Sequence, residues 1–89
     1  MGNYMGGSAW AMSQQISQGF ILVNERTFSR LQAGEMDKLA FEMEKLLREV
    51  RSEQPPLEDI PALQNKNRRL SRLTGAISQL RHYRMRHRR

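Results

Sequence analysis

Arginine side chains dominate the last nine residues of this 89-residue chain, which read RHYRMRHRR and hold five of its twelve arginines. A guanidinium group makes forked hydrogen bonds with phosphate and stacks on bases, whereas an ammonium group acts as a point charge. Tyr83 lies among these arginines, and an aromatic ring can stack on an unpaired base. The residues predicted to bind nucleic acid are Arg68, Arg69, Arg72, Arg81, Tyr83, Arg84, Arg86, Arg88 and Arg89.

The same cluster is compatible with other roles. A short arginine run can also be a nuclear import signal, a contact for an acidic protein or a solvated end. No base-reading motif accompanies the arginines, so the prediction concerns RNA or DNA backbone and no particular base sequence. A membrane surface is the weakest alternative, because after Leu80 only Tyr83 and Met85 interrupt the charge. We expect an intracellular protein, with the nucleus as one destination.

The charge of the chain is divided unevenly along its length. Residues 1–23 carry no charge, residues 24–59 carry a net charge of −3, and residues 60–89 carry nine bases and no acid. Such asymmetry indicates an anionic partner for the basic half. It also allows the acidic and basic halves of the chain to attract each other.

The residues needed for catalysis or metal binding are missing from the sequence pattern. The chain has no cysteine, and His82 and His87 are five residues apart, which places them on different faces of a helix. The carboxylates alternate with bases as on a solvated helix, and no glycine-rich phosphate loop is present. We therefore expect a protein that is not an enzyme, with no catalytic, cofactor-binding or metal site and no small-molecule substrate.

Two stretches with helical spacing must position the basic end. The first predicts a helix over residues 27–52, kinked or broken near Gly34. Pro55 and Pro56 end it, and Asp59 can cap a second helix. The apolar residues of the two seams, which we predict as an oligomer or partner surface, are Met36, Leu39, Met43, Leu46, Val50, Leu63, Leu70, Leu73, Ile77 and Leu80.

These elements predict an all-α fold, a helical hairpin of two long helices. The hairpin spans residues 24–80, between a flexible glycine-, serine- and glutamine-rich segment (1–23) that adds little to the core and an arginine-rich tail (81–89). A domain this small without a disulfide or metal needs further support, so we expect it to dimerise or to join a larger helical bundle. The partner would be a second copy or another helical protein.

Four features leave alternatives open. Residues 20–23, the apolar run FILV, can form a short strand, a strap across the bundle or a docking motif. Gly75 marks either a close helix crossing or a surface glycine. Asn67 sets the register of an oligomer or lies at the edge of a seam. Ser71 follows two arginines and a leucine, a pattern typical of basophilic kinase sites, and its phosphate would cancel part of the basic field.

The sequence therefore predicts a helical assembly or adaptor protein whose arginine-rich end contacts nucleic acid or directs nuclear localisation. The alternative is a structural subunit that binds a partner protein through its helical seams and has no nucleic-acid ligand.

Overall fold

The computed structural model describes residues 4–87, and within this range the chain forms four helices and no strand. Their bounds are Ala9–Ser17 for α1, Glu25–Ser29 for α2, Ala33–Ser52 for α3 and Ile60–Arg86 for α4. α3 packs against α4, and α1 packs against both of them. The predicted all-α class, with a hairpin of two long helices, is confirmed.

The two long helices lie antiparallel. Arg84 near the end of α4 pairs with Asp37 near the start of α3, while Arg69 pairs with Glu53 just after α3 ends. The start of α4 is fixed by Asp59, whose carboxylate accepts a hydrogen bond from a backbone amide in the first turn at 3.2 Å. This N-cap satisfies one of the amides that have no partner within the helix.

The break predicted near Gly34 occurs slightly earlier in the chain. Residues 30–32 separate α2 from α3, and Gly34 is the second residue of α3. The amide of Gln32 donates a hydrogen bond to the Glu35 carboxylate at 2.8 Å, which is one half of a capping box and begins a new helix at this point. The predicted 27–52 helix is therefore interrupted at the polar cap formed by Gln32 and Glu35, and Gly34 does not interrupt it.

Helix α1 corrects the expectation that residues 1–23 add little to the core. Met12 and Ile16, four residues apart, are buried against the other helices. Ser13 and Ser17 are buried beside them, and each hydroxyl donates to a backbone carbonyl three residues earlier, at 2.7 and 2.8 Å. Because these hydroxyls have partners inside the helix, their burial leaves no unsatisfied polar group.

The segment before α1 is tied to the start of α3. The Tyr4 hydroxyl donates a hydrogen bond to the backbone carbonyl of Glu35 at 2.9 Å. Burial and, to a smaller extent, the Glu35 carboxylate raise the pKa of the Tyr4 phenol above its usual value. α1 thus lies across the hairpin, with one end fixed near the beginning of α3.

Of the three alternatives for residues 20–23, the structure supports a strap. Ile21 is buried and Val23 is half-buried against the core, whereas Phe20 and Leu22 are 77% and 85% exposed. The strap begins after Gly19, whose φ of 83° favours glycine, and a Cβ there would lie 2.8 Å from the Arg72 guanidinium carbon.

The predicted seams pack inside a single chain. Seven of the ten seam residues are buried, and α1, the strap and α2 supply the third layer that a two-helix hairpin lacks. Leu63 is half-buried, as are Met36 and Leu70 against the core, while Asn67 and Gly75 are exposed. The apolar seams therefore stabilise the monomer and do not offer a free surface to a second chain.

Candidate nucleic-acid interface

Most of the predicted basic residues contact other parts of the same chain. Four arginines of α4 form ion pairs with acids from α2, from α3 or from the residue that follows α3: Arg69 with Glu53, Arg81 with Glu44, Arg84 with Asp37 and Arg86 with Glu25. The attraction between the acidic and basic halves, expected from the charge pattern, thus operates within one molecule. Arg88 and Arg89 lie outside the described residues.

The pairs near the end of α4 remain accessible. Arg81 and Glu44 are 3.4 Å apart, Arg84 and Asp37 are 2.6 Å apart, and these two arginines and Arg86 keep 40–70% of their side-chain surface exposed. Exposed ion pairs typically stabilise a protein by about 0–1 kcal/mol. A phosphate group can therefore replace the carboxylate at little cost to the fold.

The three arginines nearer the start of α4 have different environments. Arg72 donates a hydrogen bond to the carbonyl of Ser17 at the end of α1 at 3.1 Å, and Arg69 is mostly covered at its pair with Glu53. These two residues link α4 to the end of α1 and to the residue after α3. Arg68 is exposed and, among the described residues, makes no hydrogen bond or ion pair.

Tyr83 does not stand free as a base-stacking platform. Its ring centre lies 5.8 Å from that of Phe28 in α2 and 4.1 Å from that of His87, on which it stacks. The side chain is half-buried against the core. The structure thus places the one aromatic residue of the predicted site in the packing between α2 and α4.

An exposed aromatic residue that sequence reasoning missed lies on α3. Phe41 is 60% exposed, and Lys38, Lys45 and Arg48 share its face of the helix at spacings of three and four residues. Within residues 4–87 these three bases form no ion pair. The helical spacing of these bases and Phe41 is present in the sequence, but the acids between them make the segment look like an ordinary solvated helix.

The acids around this face are partly neutralised by α4. Asp37 and Glu44 lie on the flank next to α4, where Arg84 and Arg81 pair with them. Glu42 and Glu49 lie on the opposite flank of the helix. The outer face of α3 and the end of α4 therefore bring Lys38, Lys45, Arg81 and Arg84 around an exposed ring, with Glu42 and Glu49 at the far edge.

A further base comes from α2. Arg26 lines an open cleft of about 280 Å³ together with Tyr83 and His87. α2 and α4 pack against each other, and this contact brings together residues nearly 60 positions apart. Sequence spacing could not have predicted this proximity.

Other kinds of site are not seen in residues 4–87. No group of three or more His, Cys, Asp or Glu side chains is placed to hold a metal ion there. None of the described helices is long and apolar enough to cross a membrane.

Comparison with known proteins finds no similarity to any family model, curated protein or solved structure.

Proposed function

We propose that this chain is a non-enzymatic helical module that binds nucleic-acid backbone through the end of α4 and the outer face of α3. The observation that carries the proposal is the position of Phe41. Its exposed ring lies between the acids paired by Arg81 and Arg84 on one side and Lys38 and Lys45 on the other.

In this mode the cations contact phosphates and the ring stacks on an unpaired base. Stacking on an aromatic side chain contributes about 1–3 kcal/mol per base and requires a base that is free of a duplex. Arg81 and Arg84 exchange their carboxylate partners for phosphate oxygens, for which the guanidinium geometry is suited. The expected ligand is therefore single-stranded nucleic acid without a defined sequence.

Fluorescence anisotropy with a labelled single strand and a matched duplex tests this proposal. Affinity should fall with salt, with a logarithmic slope of about −0.7 per phosphate contacted on the single strand. Phe41→Ala should weaken single-strand binding roughly fivefold or more and leave duplex binding nearly unchanged. Equal losses for both ligands would show that the ring does not stack.

A pair of arginine variants distinguishes binding at a defined surface from general electrostatic attraction between the basic chain and the nucleic acid. Arg81→Glu and Arg68→Glu make the same charge change at exposed positions of α4 about 20 Å apart. Arg81→Glu should cause the larger loss, and Glu44→Gln should raise affinity because it removes the competing carboxylate. Equal losses for the two arginine variants, or no binding at low salt, would overturn the proposal.

The arginine-rich end is also a candidate nuclear import signal. A fluorescent fusion of the whole chain, compared with one that lacks residues 81–89, tests this role. Nuclear accumulation that is lost on deletion would favour an import signal. The same distribution for both fusions would exclude an import signal in residues 81–89.

A second candidate function is contact with a partner protein without any nucleic-acid ligand. It is supported by the strap, which turns Phe20 and Leu22 outward into solvent. A pull-down with and without nuclease distinguishes the two functions, because only nucleic-acid-mediated partners are lost on digestion. Phe20→Ser with Leu22→Ser should remove direct partners and spare nucleic-acid binding.

A further inference from the structure

Ser71 in α4 is exposed, and among residues 4–87 its hydroxyl makes no hydrogen bond. The hydroxyls of Ser29 and Ser52, which are also exposed, donate instead to backbone carbonyls three residues earlier in their helices. Arg68, three residues before Ser71, is exposed and forms no ion pair within the described chain. The serine and the first arginine of the sequence RRLS at residues 68–71 are therefore both available to an enzyme.

The helix around this motif is weakly held. A protein kinase binds the residues around its target serine as an extended segment, so α4 must open locally before Ser71 can react. At the start of α4, Ile60 is exposed and Leu63 is only half-buried. Gly75, one turn after Ser71, lowers the helix propensity of this part of the chain. Opening of residues 60–72 exposes the whole motif and leaves the buried Leu73 in place.

A cleft of about 210 Å³ beside Ser71 indicates what a phosphate group on this residue would meet. Ser71 and Arg72 line the cleft together with Gly19 and residues 21–23 of the strap. The Arg72 guanidinium donates a hydrogen bond to the carbonyl of Ser17 at 3.1 Å, and this carbonyl carries no net charge. A phosphate group has three acceptor oxygens and a charge of about −1.5 to −2. It therefore competes with the carbonyl for the guanidinium.

A second cation lies one turn before Ser71. Residues three positions apart are neighbours on a helix surface, so the unpaired guanidinium of Arg68 can also reach a phosphate on Ser71. A phosphate placed here gains two arginines, one of which has no partner to lose. The position is thus suited to hold a phosphate once it has been added.

We propose that Ser71 is a phosphorylation site for an arginine-directed protein kinase, and that its phosphate draws Arg72 away from the end of α1. In the reaction, the Ser71 Oγ forms a bond to the γ-phosphorus of ATP, the bond from that phosphorus to the β,γ-bridging oxygen breaks, and ADP leaves. The hydroxyl proton passes to a base of the kinase. Neither step requires the nucleic-acid binding proposed above.

Treatment of the full-length chain with a purified arginine-directed kinase and ATP, followed by peptide mapping, tests the site. Phosphate should appear on Ser71 and be absent from this position in Ser71→Ala. Ser29 is an internal comparison, because Arg26 lies three residues before it but its hydroxyl is bonded to the Arg26 carbonyl at 2.8 Å. Ser29 should react roughly tenfold more slowly. No phosphate on Ser71, or faster reaction at Ser29, would overturn the assignment.

Two matched pairs of variants test how the kinase reaches Ser71. Arg68→Gln should slow phosphorylation roughly tenfold, whereas Arg48→Gln, the same change at an exposed position of α3, should not. Glu53→Gln should accelerate it by up to about fivefold, because it frees the second arginine of the motif and loosens the first half of α4. Glu58→Gln should have a smaller effect. Equal rates within either pair would contradict recognition of the motif in an opened helix.

Amide hydrogen exchange tests the movement of Arg72. Phosphorylation of Ser71 should accelerate exchange in α1 about fivefold, because the carbonyl of Ser17 loses its charged donor. Arg72→Gln already lacks this donor, so phosphorylation of that variant should leave exchange in α1 unchanged. Unchanged exchange in the phosphorylated chain without substitutions, or equal acceleration in phosphorylated Arg72→Gln, would refute the proposed movement.

Discussion

The two halves of α4 share the same helical spacing but have different environments. In the second half, Leu73, Ile77 and Leu80 are buried, whereas in the first half Leu63 is only half-buried and Ile60 is exposed. Apolar spacing is therefore enough to predict the helix. It does not predict burial, which depends on which neighbours reach each turn.

The difference arises because α1 and α2 cover only the second half. α1 ends where Arg72 meets the carbonyl of Ser17, and α2 contacts α4 near Tyr83. The first half is attached to the end of α3 by polar contacts instead. There Lys66 donates to the backbone carbonyl of Glu53 at 2.6 Å, and Arg69 pairs with its carboxylate at 3.2 Å.

The largest effect is expected from leucine truncation in the two halves. Leu73→Ala should lower the free energy of unfolding by about 2–5 kcal/mol, because it leaves a cavity in a closed core. Leu63→Ala should cost less than about 1.5 kcal/mol, since water already reaches part of its surface. Urea denaturation followed by circular dichroism measures both values. Equal losses would mean that the halves are equally buried in solution.

The contribution of α1 as the cover can be measured at Met12, with Met5 as the control. Met12→Ala should cost about 2 kcal/mol or more, because this side chain is buried between α1 and the hairpin. Met5→Ala, at an exposed position before α1, should change stability by less than about 0.5 kcal/mol. If thermal melts of the two variants coincide, α1 does not cover the second half of α4.

A smaller effect is expected at the boundary between the halves. Arg72→Gln should cost about 1 kcal/mol, because it removes a charged donor from the carbonyl of Ser17 at the end of α1. Arg68→Gln, four residues earlier and exposed, serves as the control and should have little effect. Amide hydrogen exchange in α1 should accelerate only in Arg72→Gln. Equal exchange rates in both variants would contradict the capping role.

The smallest effect concerns the polar attachment of the first half. Glu53→Gln should lower the free energy of unfolding by less than about 1 kcal/mol. This loss should become smaller as the salt concentration rises, because salt screens exposed ion pairs. Glu58→Gln removes the same charge at an exposed position of the connection and should cost less. Chemical denaturation at low and high salt makes the comparison. A salt-independent loss would point to a packing role for Glu53.

The candidate site could be predicted only in part. Arginine composition indicated the basic end, and the opposite charges of the two halves allowed the ion pairs that Arg81 and Arg84 make. The stacking role that the sequence predicts for Tyr83 is not favoured by the contact of its ring with Phe28. The exposed ring is instead Phe41, whose surroundings in sequence are mostly acidic. The exposure of Phe41 depends on how α4 packs beside α3, and no local sequence pattern predicts that packing.

The sequence by itself determined the two long helices, the prolines that separate them and the seams along which they pack. These features depend on residue spacing and on backbone chemistry within a few positions. Tertiary structure alone decided that the apolar residues of α1 close the core. It also decided that the arginines of α4 meet acids from distant segments and that half of one helix stays open to solvent. Such outcomes depend on contacts between residues far apart in the chain, which local periodicity does not encode.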